Sequence, residues 1–152
     1  IKNFSHFTLW EKKTSLFEWN PAIHFQLGHG KEDNFIGIGL YMVSSRQMSL
    51  LRTALVEDFE TIHAILNDKK LKKVWGGIQG DKFIRFPKGF NPELEESQYL
   101  WHKQFYLSQS FSRNEVLSEK FMTGLVKDLK VAMPFFQWVR NSVGVYKKGS
   151  SH

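Results

Sequence analysis

Two runs, Ala22-Ile23-His24-Phe25-Gln26-Leu27-Gly28 and Phe35-Ile36-Gly37-Ile38-Gly39-Leu40-Tyr41-Met42, decide the fold. In the first, Ile23, Phe25 and Leu27 alternate with Ala22, His24 and Gln26, the period of two that a half-buried strand requires. Gly28-His29-Gly30 and the polar Lys31-Glu32-Asp33-Asn34 separate the runs, so the pair predicts a β-hairpin. Gly37 and Gly39 share one face of the second strand. They leave a strip without side chains that a helix, a large ring or a ligand could approach closely, and a packed helix is the expected occupant.

Helical spacing begins directly after the hairpin. Ser44 or Ser45 can cap a helix carrying Met48, Leu51 and Leu55, and Asp58 can cap a second with Phe59, Ile62 and Leu66 on its apolar face. Leu71, Val74 and Trp75 predict a third, ended by Gly76-Gly77. Lys82-Phe83-Ile84-Arg85-Phe86 is expected to form a strand before Pro87, and Asn91-Pro92 to open a short helix. Lys103 to Phe111 predicts another strand, and Ser112-Arg113-Asn114-Glu115 has capping-box spacing. In the last helix Phe121, Leu125, Leu129, Ala132, Phe136 and Val139 share a face, with Pro134 expected to kink or divide it. Strands mixed with segregated helices, without regular alternation, predict an α+β fold with a mainly antiparallel sheet and helices packed against it. One domain is expected over residues 1–143, with a flexible tail at 144–152.

The chain has 152 residues, of which 41% are hydrophobic, 24% charged and 15% aromatic. That balance can bury a continuous core, with rings supplying much of its area. No apolar run is long enough to cross a bilayer, and the first residues lack the pattern of an export signal. With no cysteine, disulfides, thiolate catalysis and cysteine-ligated zinc are excluded, which fits a cytoplasmic protein. The net charge of +6 favours anionic partners at long range.

A search for chemistry returns little. His6, His24, His29, His63, His102 and His152 stand singly, without chelating spacing, so surface or packing roles and no bound metal are expected. Gly28-x-Gly30 and Gly37-x-Gly39 lack the third glycine and the strand-then-helix setting of a phosphate loop. No serine sits in a nucleophile elbow. Glu93, Glu95 and Glu96 follow a helix cap, where acidic side chains favour the helix dipole. The basic residues are more suggestive: Lys70, Lys72 and Lys73 lie in a run on one short helix, and Lys82, Arg85, Lys88 and Lys103 fall on or near expected strands. Trp75, Trp101 and Tyr106, with Phe83 and Phe90, could stack on bases if exposed, although core packing also accounts for rings of this kind.

From about His24 to Val143 the chain resembles the bacterial domain-of-unknown-function family 2461. The likeness is carried by Asn34-Phe35-Ile36-Gly37-Ile38-Gly39-Leu40-Tyr41-Met42, by Gly80-Asp81-Lys82 through Pro87-Lys88-Gly89-Phe90, and by Pro134-Phe135-Phe136-Gln137-Trp138. The resemblance brings no activity with it. The family's charged Arg-x-x-Arg-Asp-x-Arg-Phe segment, with a Lys and a Tyr shortly after it, is not recognisable here. Laid alongside without a gap, its rings fall on Trp10 and Phe17, while its charged positions fall on Asn3, His6, Phe7, Leu9 and Thr14. Such a cluster would suit a phosphate or carboxylate, and losing it should remove that capacity. Retained rings predict that Trp10 and Phe17 pack beside Phe25.

Together these readings predict a non-catalytic binding domain, without cofactor, whose basic and aromatic surface takes nucleic acid or another polyanion. Lys70, Lys72, Lys73, Lys82, Arg85, Lys88 and Lys103 are the expected anion-binding groups, and Trp75, Trp101 and Tyr106 the stacking rings. An alternative is an enzyme acting on an anionic small molecule with His24, Tyr41, Lys82 and Arg85, which would have to converge. A third is a structural interaction domain with an exposed apolar patch.

Overall fold

The hairpin forms as its alternation predicts, with β2 (Ala22–Gly28) antiparallel to β3 (Phe35–Leu40) and Phe25 opposite Ile36. The structure is a computed structural model that describes residues 4–9 as backbone, then 19–30 and 33–144 in full. The hairpin turn is held by side chains: buried Asn34 accepts from the Gly28 amide at 3.0 Å, and Asp33 from the Gly30 amide at 2.7 Å. A strand that the hydrophobic pattern does not announce, β1 (Phe4–Leu9), pairs antiparallel with β2 and sets Phe7 opposite Phe25. On the other side β4 (Phe105–Ser110) pairs with β3, giving the antiparallel order β1-β2-β3-β4.

The helices α1 (Ser45–Glu57), α2 (Phe59–Leu66), α3 (Lys69–Trp75), α4 (Arg113–Leu117) and α5 (Phe121–Val143) complete an α+β fold. The expected capping box is present on α4, Ser112 with Glu115, and of the two candidate caps of α1 it is Ser44 that serves, in a capping box with Gln47. Asp58 precedes α2 without capping it. Its carboxylate instead accepts from the Thr61 hydroxyl and from the indole Nε1 of Trp138 on α5. α5 runs undivided through Pro134, which sits on its exposed side, where water can take up the carbonyl that proline leaves unbonded.

The core lies between one face of the sheet and the helices. Ile36, Ile38 and Leu40 of β3 are almost wholly enclosed with Phe105 and Leu107 of β4, against Phe135, Trp138 and Val139 of α5. Phe105 stacks on Phe135 with ring centroids 5.5 Å apart and tilts against Trp138 at 6.0 Å.

Two local expectations need correction. Lys82–Phe86 is not a strand, and only isolated bridges, Gln79 with Tyr106 and Lys82 with His102, flank β4 there. Gly80 adopts a positive φ of 100°, and Ile84 is 94% exposed between half-buried Phe83 and Phe86, so the apolar pair recurs at three residues and not at two. Asn91-Pro92 starts no α-helix. The Asn91 side chain caps a turn by accepting from the Glu93 amide, and a five-residue 3-10 helix follows at Glu95–Tyr99. Beyond Gly144 the expected tail lies outside the described residues, as do Trp10, Phe17 and Thr14 with the packing expected of them.

Candidate functional site

The glycine strip of β3 faces away from the helices, which overturns the expectation that a helix packs on it. Residues alternate across a strand, so burying Ile36, Ile38 and Leu40 under α5 turns Gly37 and Gly39 to the opposite face of the sheet. That face carries His24 of β2, Phe35 of β3 and Tyr106 of β4, and beyond the strand end Tyr41. Together with the rim residue Trp19 they enclose a cleft of about 570 Å3, well within the size range of small-molecule sites.

The floor and walls differ in origin. A side chain at Gly37 would sit 3.9 Å from the Leu107 carbonyl oxygen, in ordinary contact, so the floor is open by composition and not by steric need. At Gly39 the backbone is pinned: φ is 134°, and a Cβ would collide with the Phe105 carbonyl oxygen. The close approach of β4 that this permits carries Tyr106 into the cleft, edge-on to Tyr41 at 5.2 Å. Burial, the neighbouring Tyr41 and Asp81 all raise the Tyr106 phenol above its ordinary pKa, so it stays protonated and able to donate a hydrogen bond. His24 tilts against Phe35 at 5.6 Å. Trp19 is tethered by Gln47, whose buried amide donates to the Trp19 carbonyl at 2.7 Å while its oxygen accepts from the Ser44 amide.

The residues singled out in the sequence are distributed unevenly. Tyr106 lines the cleft, whereas Trp75 is 3% exposed and donates its indole Nε1 to the Asp128 carbonyl, which makes it a core group with no face to offer a base. Trp101 is half-buried, edge-on to Phe86 at 5.0 Å. Lys70, Lys72 and Lys73 are exposed on α3, and Lys82, Arg85 and Lys88 on the loop before the 3-10 helix. Among the described residues no lysine or arginine lines the cleft. Of the four groups required for an enzyme, His24 and Tyr41 meet there, and Lys82 and Arg85 do not join them. Trp19 and Phe35 were not anticipated in this role, although the glycine strip carried the signal: rings beside a bare strand face have a ligand-sized gap to border.

Two histidines have structural settings of their own. His63 stacks on Phe59 at 4.8 Å and its Nδ1 lies 2.8 Å from the Tyr99 hydroxyl, which fastens α2 to the 3-10 helix. His102 is pushed down to a pKa of about 4 by burial and by the Lys82 charge, and its Nδ1 is enclosed without a hydrogen-bond partner. Because the folded-state value lies below the ordinary 6.5, the unfolded chain binds the proton more readily between these values. The stability His102 contributes is therefore complete above pH 6.5 and is lost as the pH falls through about 4. The ring is partly exposed, so screening reduces the effect to on the order of 1 kcal/mol. In chemical denaturation at pH 7 and pH 4.5, His102→Phe should narrow the stability difference by that amount, and an unchanged difference would show that His102 does not titrate in this window.

Among the described residues no group of three histidine, aspartate or glutamate side chains could hold a metal ion, and no helix is long and apolar enough to cross a membrane. No curated protein and no solved structure matches the chain. A family model described as a conserved hypothetical protein, DUF2461, matches residues 3–138, a span that includes the hairpin, the cleft and all but the end of α5. The chain therefore belongs to the DUF2461 family.

Proposed function

We propose that the protein is a non-catalytic binding domain that takes a flat aromatic or heteroaromatic group into the cleft on the face of its sheet turned away from the helices. One observation carries this reading: a glycine floor bordered by the rings of Trp19, Phe35, Tyr41 and Tyr106 lies in a cleft of about 570 Å3. Faces of Tyr and Trp favour offset or edge-on contact with another ring, at about 0.5–1.5 kcal/mol per pair beyond the area buried. The Tyr106 hydroxyl supplies a donor that would orient the ligand. A nucleobase is one such group. Because no described cation lines the cleft, binding of a single base should depend little on salt, whereas a polyanion held by Lys70, Lys72 and Lys73 would be released steeply as salt rises.

The test is Gly37→Leu. Its backbone is unstrained and its surroundings open, so the variant should fold with a melting temperature near that of the parent while filling the slot. Titration with adenosine and with indole, followed through the amide and ring resonances of Gly37, Tyr41 and Tyr106, should show saturable shifts in the parent. A loss of affinity of at least about tenfold is expected in the variant. Equal affinity in both proteins would sink the reading, and a steep salt dependence shared by both would return the binding surface to the lysines.

A further inference from the structure

On the opposite side of the β3–α1 turn, a second pocket of about 560 Å3 lies between the first turns of α1 and the loop that carries Phe83 and Phe90. Ser45, Ser49 and Arg52 fall on one face of α1, because residues three and four apart are neighbours on a helix. Lys103, just ahead of β4, completes the opposite wall. We propose that this pocket binds a phosphate group, with Arg52 and Lys103 as its paired cations and the Ser45 and Ser49 hydroxyls as further donors.

Charge and geometry both support the assignment. Arg52 and Lys103 both line the pocket, and each lies over the ring of Phe83, the Arg52 guanidinium carbon 5.1 Å and the Lys103 Nζ 5.8 Å from its centroid. Among the described residues no carboxylate lines the pocket, and neither cation has an ion-pair partner. Two cations lining one pocket raise its positive potential, and a dianion there is attracted to both. A planar guanidinium fork is shaped for the paired oxygens of phosphate. Burial also works against the Arg52 charge, so an anion at this position offsets a cost that the fold otherwise carries.

The donor set favours phosphate over a monocarboxylate. Two cations match two negative charges, and the serine hydroxyls reach oxygens that a carboxylate does not have. The half-buried rings of Phe83 and Phe90 offer an apolar surface to the organic part of a phosphate ester. Among the described residues the pocket shares no lining residue with the sheet cleft, so the assignment stands independently of what the cleft binds.

The test uses the whole chain and inorganic phosphate, with acetate and chloride at matched ionic strength as comparisons, and follows thermal unfolding and isothermal titration. Phosphate should raise the melting temperature saturably, and acetate should not. Lys103 is exposed, so Lys103→Gln should fold normally and bind phosphate about tenfold more weakly, the loss expected for one charge-assisted contact. Arg52→Gln should abolish the response, and Arg52→Lys, which keeps the charge but loses the fork, should fall between. A combined Lys70→Gln, Lys72→Gln and Lys73→Gln variant should respond like the parent. The assignment is overturned by a non-saturable phosphate effect, by an equal response to acetate, or by a Lys103→Gln protein that binds phosphate as the parent does. Even if the Arg52 variants fail to fold, the Lys103→Gln and triple-lysine proteins decide the matter.

Discussion

Replacing Gly39 with valine is expected to destabilise the protein by roughly 3 kcal/mol or more, because two separate penalties fall on the same atom. Its φ of 134° lies where side-chain-bearing residues are strained, and the new Cβ would be driven into the Phe105 carbonyl oxygen and to 2.8 Å from the Tyr106 Cα. Both obstacles are backbone, so no rotamer change relieves them. Relief would have to come from separating β3 from β4, which would break the pairing of Gly39 with Tyr106 and Leu40 with Phe105. For a chain of this length such a loss lowers the melting temperature by roughly 10 °C. Gly37→Ala is the matched comparison, and there the added methyl enters ordinary contact and should change stability by less than about 1 kcal/mol. Thermal unfolding of the two variants side by side checks the argument, which fails if Gly39→Val melts near the parent.

Phe105→Ala should cost about 3–5 kcal/mol, the range for removing a buried ring where the surroundings collapse only in part. Phe105 has no exposed surface, and it joins the sheet to α5 through its contacts with Phe135 and Trp138. Those partners are themselves held, Trp138 by its hydrogen bond to Asp58 at 2.8 Å, so the cavity cannot close by a simple side-chain shift. Urea denaturation should show a lower midpoint with an unchanged slope. Phe111→Ala gives the contrast. Phe111 follows β4 in a half-buried position edge-on to Phe121, and truncating it should cost clearly less. Equal losses at the two sites would mean that Phe105 is not the keystone its contacts indicate.

Much of the fold was legible because its signals are local. The alternation in Ala22–Gly28, the serine cap of α1, the capping box at Ser112, and the helical spacing of Leu125, Ala132, Phe136 and Val139 all depend on neighbours within a few residues, and each forms as expected. Readings failed where a local pattern had two solutions. Lys82–Phe86 contains three apolar residues, and only the positive φ at Gly80 and the exposure of Ile84 decide for a loop. β1 gave no clear alternation, and its pairing with β2 supplies the order that its own pattern lacks.

The candidate sites were less legible, for a physical reason visible at particular residues. Trp75 and Tyr106 are both large rings with a polar atom, and nothing local separates the one that donates to Asp128 inside the core from the one that lines the cleft. Arg52 and Lys103 are 51 positions apart, and only the fold sets them over the same Phe83 ring. By itself the sequence determined the α+β class, the hairpin, the serine-capped starts of α1 and α4 and the bare strip at Gly37 and Gly39, because periodicity, caps and missing side chains act over a few residues. The tertiary structure alone decided which face of that strip the helices cover. Burial of Ile36, Ile38 and Leu40 under α5 is a long-range packing choice, and by the alternation of the strand it turns the glycines outward and makes the cleft.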